Sequence, residues 1–425
     1  DHLAAEGSWR EDIEEFANLY TPCKPHLNLR DAFETTVSGF DPTKSAGYSA
    51  HIRAGPKGVW QTEAGRTDLW YFVCCRMALR NSVLSRLPMM TPMAMVSLYL
   101  SDPRVIFIKP EAHGVKKIAA SRWRCIWNVS VVDTTIQSLL HSKQNKRDIA
   151  DYKDGLITHQ AAGMGHHDEG IAHLGRIFEE MSDHGTIELT DDDAEGWDIS
   201  CRRDLVLFDT EVRIRLFRRA VAAFDKQTQE IVLDHKAFAR GWVASLLAEG
   251  YCNSAHVLSV GETLYEARVF GITASGIIST TAQNCKGRSF QAKRCGMKRN
   301  LVQGDDLVHR GSQTERMRAK VRRCGTIIKD AHTALGSVSF TSHVFTRQED
   351  GSWDARFDNF EKMMAHIDLR RKAGEPPADD VVAGCLFAVR HSPLQTSQCK
   401  AYVRLLGGNS AVEPRDTTAC EDAFC

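Results

Sequence analysis

Asp305 and Asp306 stand side by side behind Gly304 in the stretch "KRNLVQGDDLVHR" (298–310), between the apolar pairs Leu301-Val302 and Leu307-Val308. Glycine and aspartate between β-forming runs are turn chemistry, so the segment reads as a tight hairpin with two carboxylates at its tip. Gly-Asp-Asp alone is weak evidence, since a chain of this length shows it by chance roughly one time in ten. Its weight comes from a second acidic stretch, "TIELTDDDAEGWDIS" (186–200), an alternating strand that breaks at Gly196. Asp193 would close that strand, and Asp198 would follow beyond a turn. Phosphoryl transfer to a hydroxyl uses two divalent ions about 3.5 to 4 Å apart, and magnesium takes hard oxygen ligands from a few carboxylates. Asp305 and Asp306 from a hairpin, with Asp193 from a neighbouring strand, could supply those oxygens. Asp198 would serve a separate contact, to a ribose.

Elements of both periodicities surround these carboxylates. Two β-rich runs, "RVIFIK" (104–109) and "RWRCIWNV" (122–129), flank a basic connection. Residues 202–224 carry apolar side chains at helical spacing with basic ones opposite. A strand and a glycine-punctuated loop, "TLYEARVFGITASGIIST", lead into a helix at 280–297. Beyond the acidic hairpin come a helix at 312–324, the short strand "TIIKD", the hairpin "SVSFTSHVFTRQEDGSW" and a mainly helical end from 357. Ahead of all this lie a helical pattern, "REDIEEFANLY", a turn-rich loop at 40–58 and a helix at about 66–85. The class is α+β with antiparallel hairpins.

At 425 residues, 43% hydrophobic and 25% charged with 12 prolines, the composition is that of an ordinary globular protein, of two or three domains or one large many-part unit. Lys+Arg and Asp+Glu both count 54, so net charge does not advertise a polyanionic partner. Distribution does more: basic residues gather at 104–124, 286–299 and 316–323, acidic ones at 188–198. A groove with basic walls and an acidic floor holds a polyanion against a metal at zero net charge. Thirteen cysteines without a C-x-x-C point to a reducing, intracellular setting and no structural zinc site. The apolar stretch 88–100 is too short and proline-interrupted to span a bilayer, so no transmembrane segment is expected. The first residue is Asp, so the chain reads as a piece of a longer precursor.

In these motifs the chain resembles the viral RNA-dependent RNA polymerases, and the motifs stand in that family's order. "DDAEGWDIS" resembles motif A, with Asp193 at the metal ligand and Asp198 at the residue that senses the ribose 2'-hydroxyl. "SGIISTTAQN" (275–284) resembles motif B: Ser275 and Gly276 fit its flexible loop, Thr280 its threonine, and Asn284 the partner of Asp198 in selecting ribonucleotides. "GDD" resembles motif C, making Asp305 the main ligand and Asp306 an accessory one. "KPEAHGVKKIAASRWRCI" (109–126) resembles motif F, which implies triphosphate contacts for Lys109 and Arg124, helped by Arg122 and Lys116 or Lys117. "TKSAGY" (43–48) resembles motif G, and "FTSHVF" (340–345) motif E. "GTIIKD" resembles motif D and implies that Lys329 donates a proton to pyrophosphate. "SRWRCI", "FTSH" and a late "RHSP" (390–393) are similar to strings of the sobemovirus- and luteovirus-like group of positive-strand RNA viruses. Cys285 and Thr341 depart from residues common there, and neither is an expected ligand.

The resemblance implies a right-hand fold: fingers at 1–185 with an insertion at 201–268, palm at 186–200 and 269–350, and a helical thumb at 351–425. It implies RNA-templated transfer of nucleotidyl groups from ribonucleoside triphosphates to an RNA 3'-hydroxyl, with magnesium as cofactor and manganese as the alternative ion. The implied partners are a single-stranded RNA template, nascent RNA and the triphosphates, with a protein primer or other viral replication proteins as further candidates. The implied setting is the host cytoplasm. A reverse transcriptase would carry a bulky side chain against ribonucleotides in place of Asp198 and Asn284. Three other readings stay structural. Asp191 and Asp192 read as a solvated pair, with Asp192 on the strand face opposite Asp193. His159, His166, His167 and His173 lie among glycines that indicate a loop, not zinc ligands. The basic run 316–323 reads equally as a solvated helix face and as an RNA contact.

Overall fold

The first elements of the chain are helices, several of them started by side-chain caps. In this computed structural model, which describes residues 8–49, 55–109, 118, 119, 123, 125–151, 158–165, 167–227, 235–273, 276–372 and 374–415, α1 (Trp9–Leu19) and α2 (Leu29–Ser38) come first. The Asn28 side chain caps α2 by accepting from the N–H groups of Arg30 and Asp31. Thr62 does the same for α3 (Glu63–Ser82), and Thr91 for α4 (Pro92–Ser97), where proline occupies the first turn. Strands β1 (Arg104–Ile108) and β2 (Cys125–Asn128) pair antiparallel, as the two β-rich runs suggest.

Two helices follow that periodicity does not announce. α5 (Val131–Ala150) is buried without interruption from Val131 to His141, so it has no polar stripe to contrast with an apolar one. α6 (Asp168–Met181) starts where the sequence reads as loop, because the His167 ring accepts from the Gly170 N–H and caps it. His173 therefore lies on a helix, a correction to the loop reading, while His166 is outside the described residues.

Then come β3 (Leu189–Ala194), the helical turn α7 (Trp197–Ser200), the long helices α8 (Arg203–Gln227) and α9 (His235–Asn253), and the hairpin β4 (Val257–Val260) and β5 (Thr263–Glu266). α10 (Thr280–Cys295) leads into β6 (Asn300–Gln303) and β7 (Asp306–Arg310), then α11 (Glu315–Arg323), β8 (Ile328–Ala334), β9 (Ser337–Phe340), β10 (His343–Arg347) and β11 (Trp353–Phe357). α12 (Phe360–Arg370), α13 (Asp379–Ala388) and α14 (Pro393–Leu405) pack on one another around Ile367, Leu386, Cys399 and Val403.

The strands form three sheets. β2-β1-β4-β5 has one parallel pairing, β1 with β4; β11-β10-β9 and β6-β7-β3-β8 are antiparallel throughout. The mixed architecture with antiparallel sheets agrees with the α+β expectation. The sheet β6-β7-β3-β8 carries the acidic residues. On one side it packs with α1, α8 and α10 around Phe208, Phe290, Val302 and Leu307. On the other it packs with α6, β9, β10 and β11 around Phe178, Leu301, Val308 and Phe345. Among the described residues no helix is long and apolar enough to cross a membrane.

Candidate active site

Gln303 pairs with Asp306 across the β6–β7 hairpin, leaving Gly304 and Asp305 as a two-residue turn. Gly304 has φ +66°, which glycine adopts without strain. β7 also pairs with β3, through Asp191–Val308 and Asp192–Leu307, so one step further in the same register Asp193 stands beside Asp306. Two neighbouring strands thus bring Asp193, Asp305 and Asp306 to one end of one sheet. β3 ends at a bulge between Asp193 and Ala194, and Gly196 at φ +56° turns the chain into α7. Trp197 anchors that turn in the core at 2% exposure, leaving Asp198 exposed beside the hairpin. The Asp198 carbonyl accepts from Thr273 N–H at 2.8 Å, tying it to the loop before α10.

The electrostatics agree with this convergence. Partial burial, then Asp305 and Asp193, push the Asp306 carboxyl up to about 7. Asp305 is raised by burial, with Asp198 and Asp193 adding to it and Arg288 opposing. The Thr341 backbone hydrogen-bonds Asp306 and works against its rise. Thr341 and Ser342, at φ +49° and +64°, form the β9–β10 turn that brings this backbone over the hairpin. Lys329, exposed on β8, donates to Asp193 Oδ2 at 3.1 Å and to Asp330 at 2.7 Å, and its pKa rises through both contacts.

These carboxylates are the hard-oxygen donors that magnesium or manganese takes, and like charges that raise one another's pKa are what a cation relieves. The donor set therefore fits. It is not drawn closed: among the described residues no three His, Cys, Asp or Glu side chains converge tightly enough to hold an ion, and Asp193 is engaged by Lys329.

The expected motif B residues lie at the start of α10 and in the loop before it. Gly276, at φ +110°, lies so close to β2 that a Cβ would meet the Trp127 carbonyl at 2.8 Å. Thr280 opens α10 and donates its hydroxyl to the Ile277 carbonyl at 2.9 Å. One turn along, Asn284 Oδ1 is buried and has no hydrogen-bond partner among the described residues. Lys109 directly follows β1. Lys116, Lys117, Arg122, Arg124 and Ser275 lie outside the described residues.

The solvated reading of Asp191 and Asp192 is corrected. Asp192 does face away from Asp193, but away means into the core, because α10 covers that side of β3. There Arg288, fully buried, ion-pairs with Asp192 Oδ1, and Gln313 Nε2 donates to Oδ2 at 2.8 Å. Arg288 Nε also donates to the Asp305 carbonyl at 3.4 Å, so one guanidinium braces both acidic strands. Asp191 is half-buried and accepts from Ser339 N–H at 2.9 Å, with its carboxyl raised by that burial. Cys285, buried on α10, accepts from Gly304 N–H at 3.3 Å and supports the hairpin turn. Arg288 and Gln313 were missed in the sequence. The available signal was a carboxylate on the covered face of a strand, which obliges the core to supply a cation.

No protein-family model matches the chain. Individual proteins do: its homologues are viral RNA-directed RNA polymerases and replicase polyproteins, from sobemo-, luteo- and related viruses. It is 31% identical over 202 residues to the "RNA-directed RNA polymerase" of Mushroom bacilliform virus (isolate Australia/AUS LF-1), covering 47% of this chain and 42% of that protein. It is 28% identical over 268 residues to "Replicase polyprotein P2AB" of Southern cowpea mosaic virus, 61% of this chain and 25% of the polyprotein. With the P2AB of Cocksfoot mottle virus (isolate Dactylis glomerata/Norway/CfMV-NO/1995) it shares 25% identity over 317 residues, 70% of this chain and 31% of that one. The chain thus spans less than half the length of these relatives.

Proposed function

We propose that the chain synthesises RNA on an RNA template, joining nucleotidyl groups from ribonucleoside triphosphates to an RNA 3'-hydroxyl during viral replication in the host cytoplasm. The observation that carries this reading is the convergence of Asp193, Asp305 and Asp306 at one end of a single sheet, with exposed Asp198 beside them. The names of the homologues support it. In this reading the sheet β6-β7-β3-β8 is the palm of a right hand, α12 to α14 are the thumb, and the first part with α8, α9 and the β4–β5 hairpin forms the fingers.

Asp193 and Asp305 would hold divalent cations, magnesium or manganese, with Asp306 as an accessory ligand. Such ions, when bound, supply charge neutralisation and activation of the 3'-hydroxyl. The remaining work is positioning. Asp198 and Asn284 engage the ribose hydroxyls, and Thr280 and Gly276 shape the loop beneath the sugar. Lys109 steadies the triphosphate, as Lys116, Arg122 and Arg124 would; Ser275 belongs to the sugar loop. The 3'-oxygen forms its bond to the α-phosphorus as the bond to the β-phosphate oxygen breaks, and its proton passes to solvent. Lys329, kept protonated by its acidic neighbours, releases Asp193 and gives a proton to pyrophosphate. RNA contacts fall on backbone and 2'-hydroxyls, giving weak sequence preference and strong salt dependence. A protein primer or other replication proteins would be further partners.

The test is incorporation of labelled ribonucleotides on single-stranded RNA with magnesium, comparing wild type with Asp305→Ala and repeating with deoxynucleotides. Complementary RNA from wild type only, with deoxynucleotides refused, is the expected result. Binding of RNA without any incorporation, primed or unprimed, would replace synthesis by a scaffold role.

A further inference from the structure

His256 sits between β1 and the loop before α10, whose Thr273 holds the Asp198 backbone, and it is 1% exposed. Arg104, the first residue of β1, donates from Nε to His256 Nδ1 at 2.9 Å. An arginine Nε–H can only donate, so Nδ1 must accept, and the ring proton resides on Nε2. That Nε2–H points at the Ile272 carbonyl and donates to it. Burial, then the Arg104 charge, push the imidazole down to about 3, so the ring stays neutral in this one tautomer at every working pH.

The far side of the loop is held from the same body. Gln137 on α5 accepts from Ile278 N–H at 3.2 Å, and Asn145, one half-buried helix face further on, donates to the Ile278 carbonyl at 2.9 Å. Gln137 and Arg104 both donate to Asn253 Oδ1, at 3.0 and 3.1 Å, so the two anchors share one acceptor. From Ile272 the chain passes to Thr273, whose N–H binds the Asp198 carbonyl at 2.8 Å, and whose hydroxyl receives Gln283 Nε2 at 3.5 Å. A path of three hydrogen bonds and the Ile272–Thr273 peptide link therefore runs from β1 to the backbone of Asp198.

We propose that His256 is a positioning residue for sugar selection: through Ile272 and Thr273 it fixes Asp198 against Asn284 and couples that pair to the β1 arm. This rests on the polymerase reading. A site that reads a hydroxyl discriminates strongly only while its polar groups are held to fractions of an ångström. Loss of the anchor should therefore lower selectivity before it lowers RNA binding.

The experiment measures kcat and KM for matched ribo- and deoxyribonucleotides, RNA affinity by fluorescence polarisation, and Tm, in wild type, His256→Leu, His256→Gln and Asn145→Ala. In His256→Leu the ratio of ribo- to deoxyribonucleotide kcat/KM should fall about tenfold, mainly through a raised ribonucleotide KM, with RNA affinity within about twofold of wild type. His256→Gln, whose amide N–H reaches the Nε2 position, should keep most of the ratio. Asn145→Ala, which also removes an acceptor of buried Arg213 Nη2, should lose about threefold in the same direction, with Tm reading the Arg213 contact separately. It decides the matter if His256→Leu does not fold. Unchanged discrimination in both variants, or equal losses for both sugars, overturns the inference while leaving the polymerase reading intact. A wild type that incorporates neither nucleotide overturns that reading instead.

Discussion

Two regions of the molecule gather charge in opposite ways. At the tip of the β6–β7 hairpin like charges meet: Asp193, Asp198, Asp305 and Asp306 stand together, partly open to solvent, and burial with these neighbours raises the carboxyls of Asp305 and Asp306. Behind the β1 arm unlike charges meet in the dark. Arg76 binds Asp102 at 2.5 Å and Asp133 at 3.0 Å, Arg80 binds Asp133 at 2.7 Å, and Lys286 binds Asp148 at 2.6 Å and Asp209 at 3.2 Å. All seven are buried. The same residue types thus build an incomplete charge cluster open to a cation and buried networks in which opposite charges are paired. The first is where chemistry belongs; the second holds the helices α3, α5, α8 and α10 in fixed relation.

The contrast breaks most sharply through Asp305→Ala. Nucleotide incorporation should fall by about a thousandfold or more, about 4 kcal/mol of barrier, while the melting temperature holds or rises because repulsion is relieved. Asp133→Ala should do the reverse. It takes the carboxylate from buried Arg80 and leaves Arg76 to Asp102 alone, and should cost about 3–5 kcal/mol of stability in denaturant unfolding.

pH separates the regions by sign. Asp209 is held at about 2, Arg213 and Lys286 outweighing the effect of burial, so its stabilisation is present above pH ~4 and lost as pH falls towards 2. Asp306 is raised to about 7, so the folded state holds the extra proton and the metal-free protein loses stability as pH rises from ~4 to 7. Hydrogen exchange should accordingly loosen α8 first in acid and the β6–β7 hairpin first above neutrality. Asp306→Asn should stabilise the metal-free protein by about 1–2 kcal/mol at pH 8 after solvent screening, and by nothing measurable at pH 4. Magnesium should raise Tm more at pH 8 than at pH 5. The smallest effect is expected for Lys329→Met: kcat lower by about threefold to tenfold, with half-maximal magnesium reduced because Asp193 is released.

The acidic hairpin and its neighbour strand were legible in the sequence because turn residues and strand alternation are local signals. Glycine precedes Asp305, apolar pairs flank the tip, and Gly196 stops β3 where Asp198 must turn away. Asp192 was misjudged for an equally physical reason: alternation says which face a residue takes, and only tertiary packing says what covers that face. α5 escaped notice because it is buried on every side along its first half, so no stripe marks it. The His256 relay was invisible as well. Arg104, His256 and Ile272 are far apart in the chain, and no spacing rule joins an arginine at a strand start to a carbonyl in a distant loop.

One contact at the hairpin sets its mechanics. The Gly304 amide rests on the sulfur of Cys285, the softest and weakest acceptor among polar side chains. Since burial pushes that thiol up to about 12, it stays a neutral, unreactive cushion and not an anion. A tip suspended on sulfur is compliant: it can shift by tenths of an ångström at little cost, whereas a hydroxyl would grip it. In the proposed polymerase, ionic radius would then enter through α10 as well as through the carboxylates. Cys285→Ser should change the ratio of magnesium- to manganese-supported turnover while leaving the fold intact, making helix stiffness a tuning parameter for metal choice.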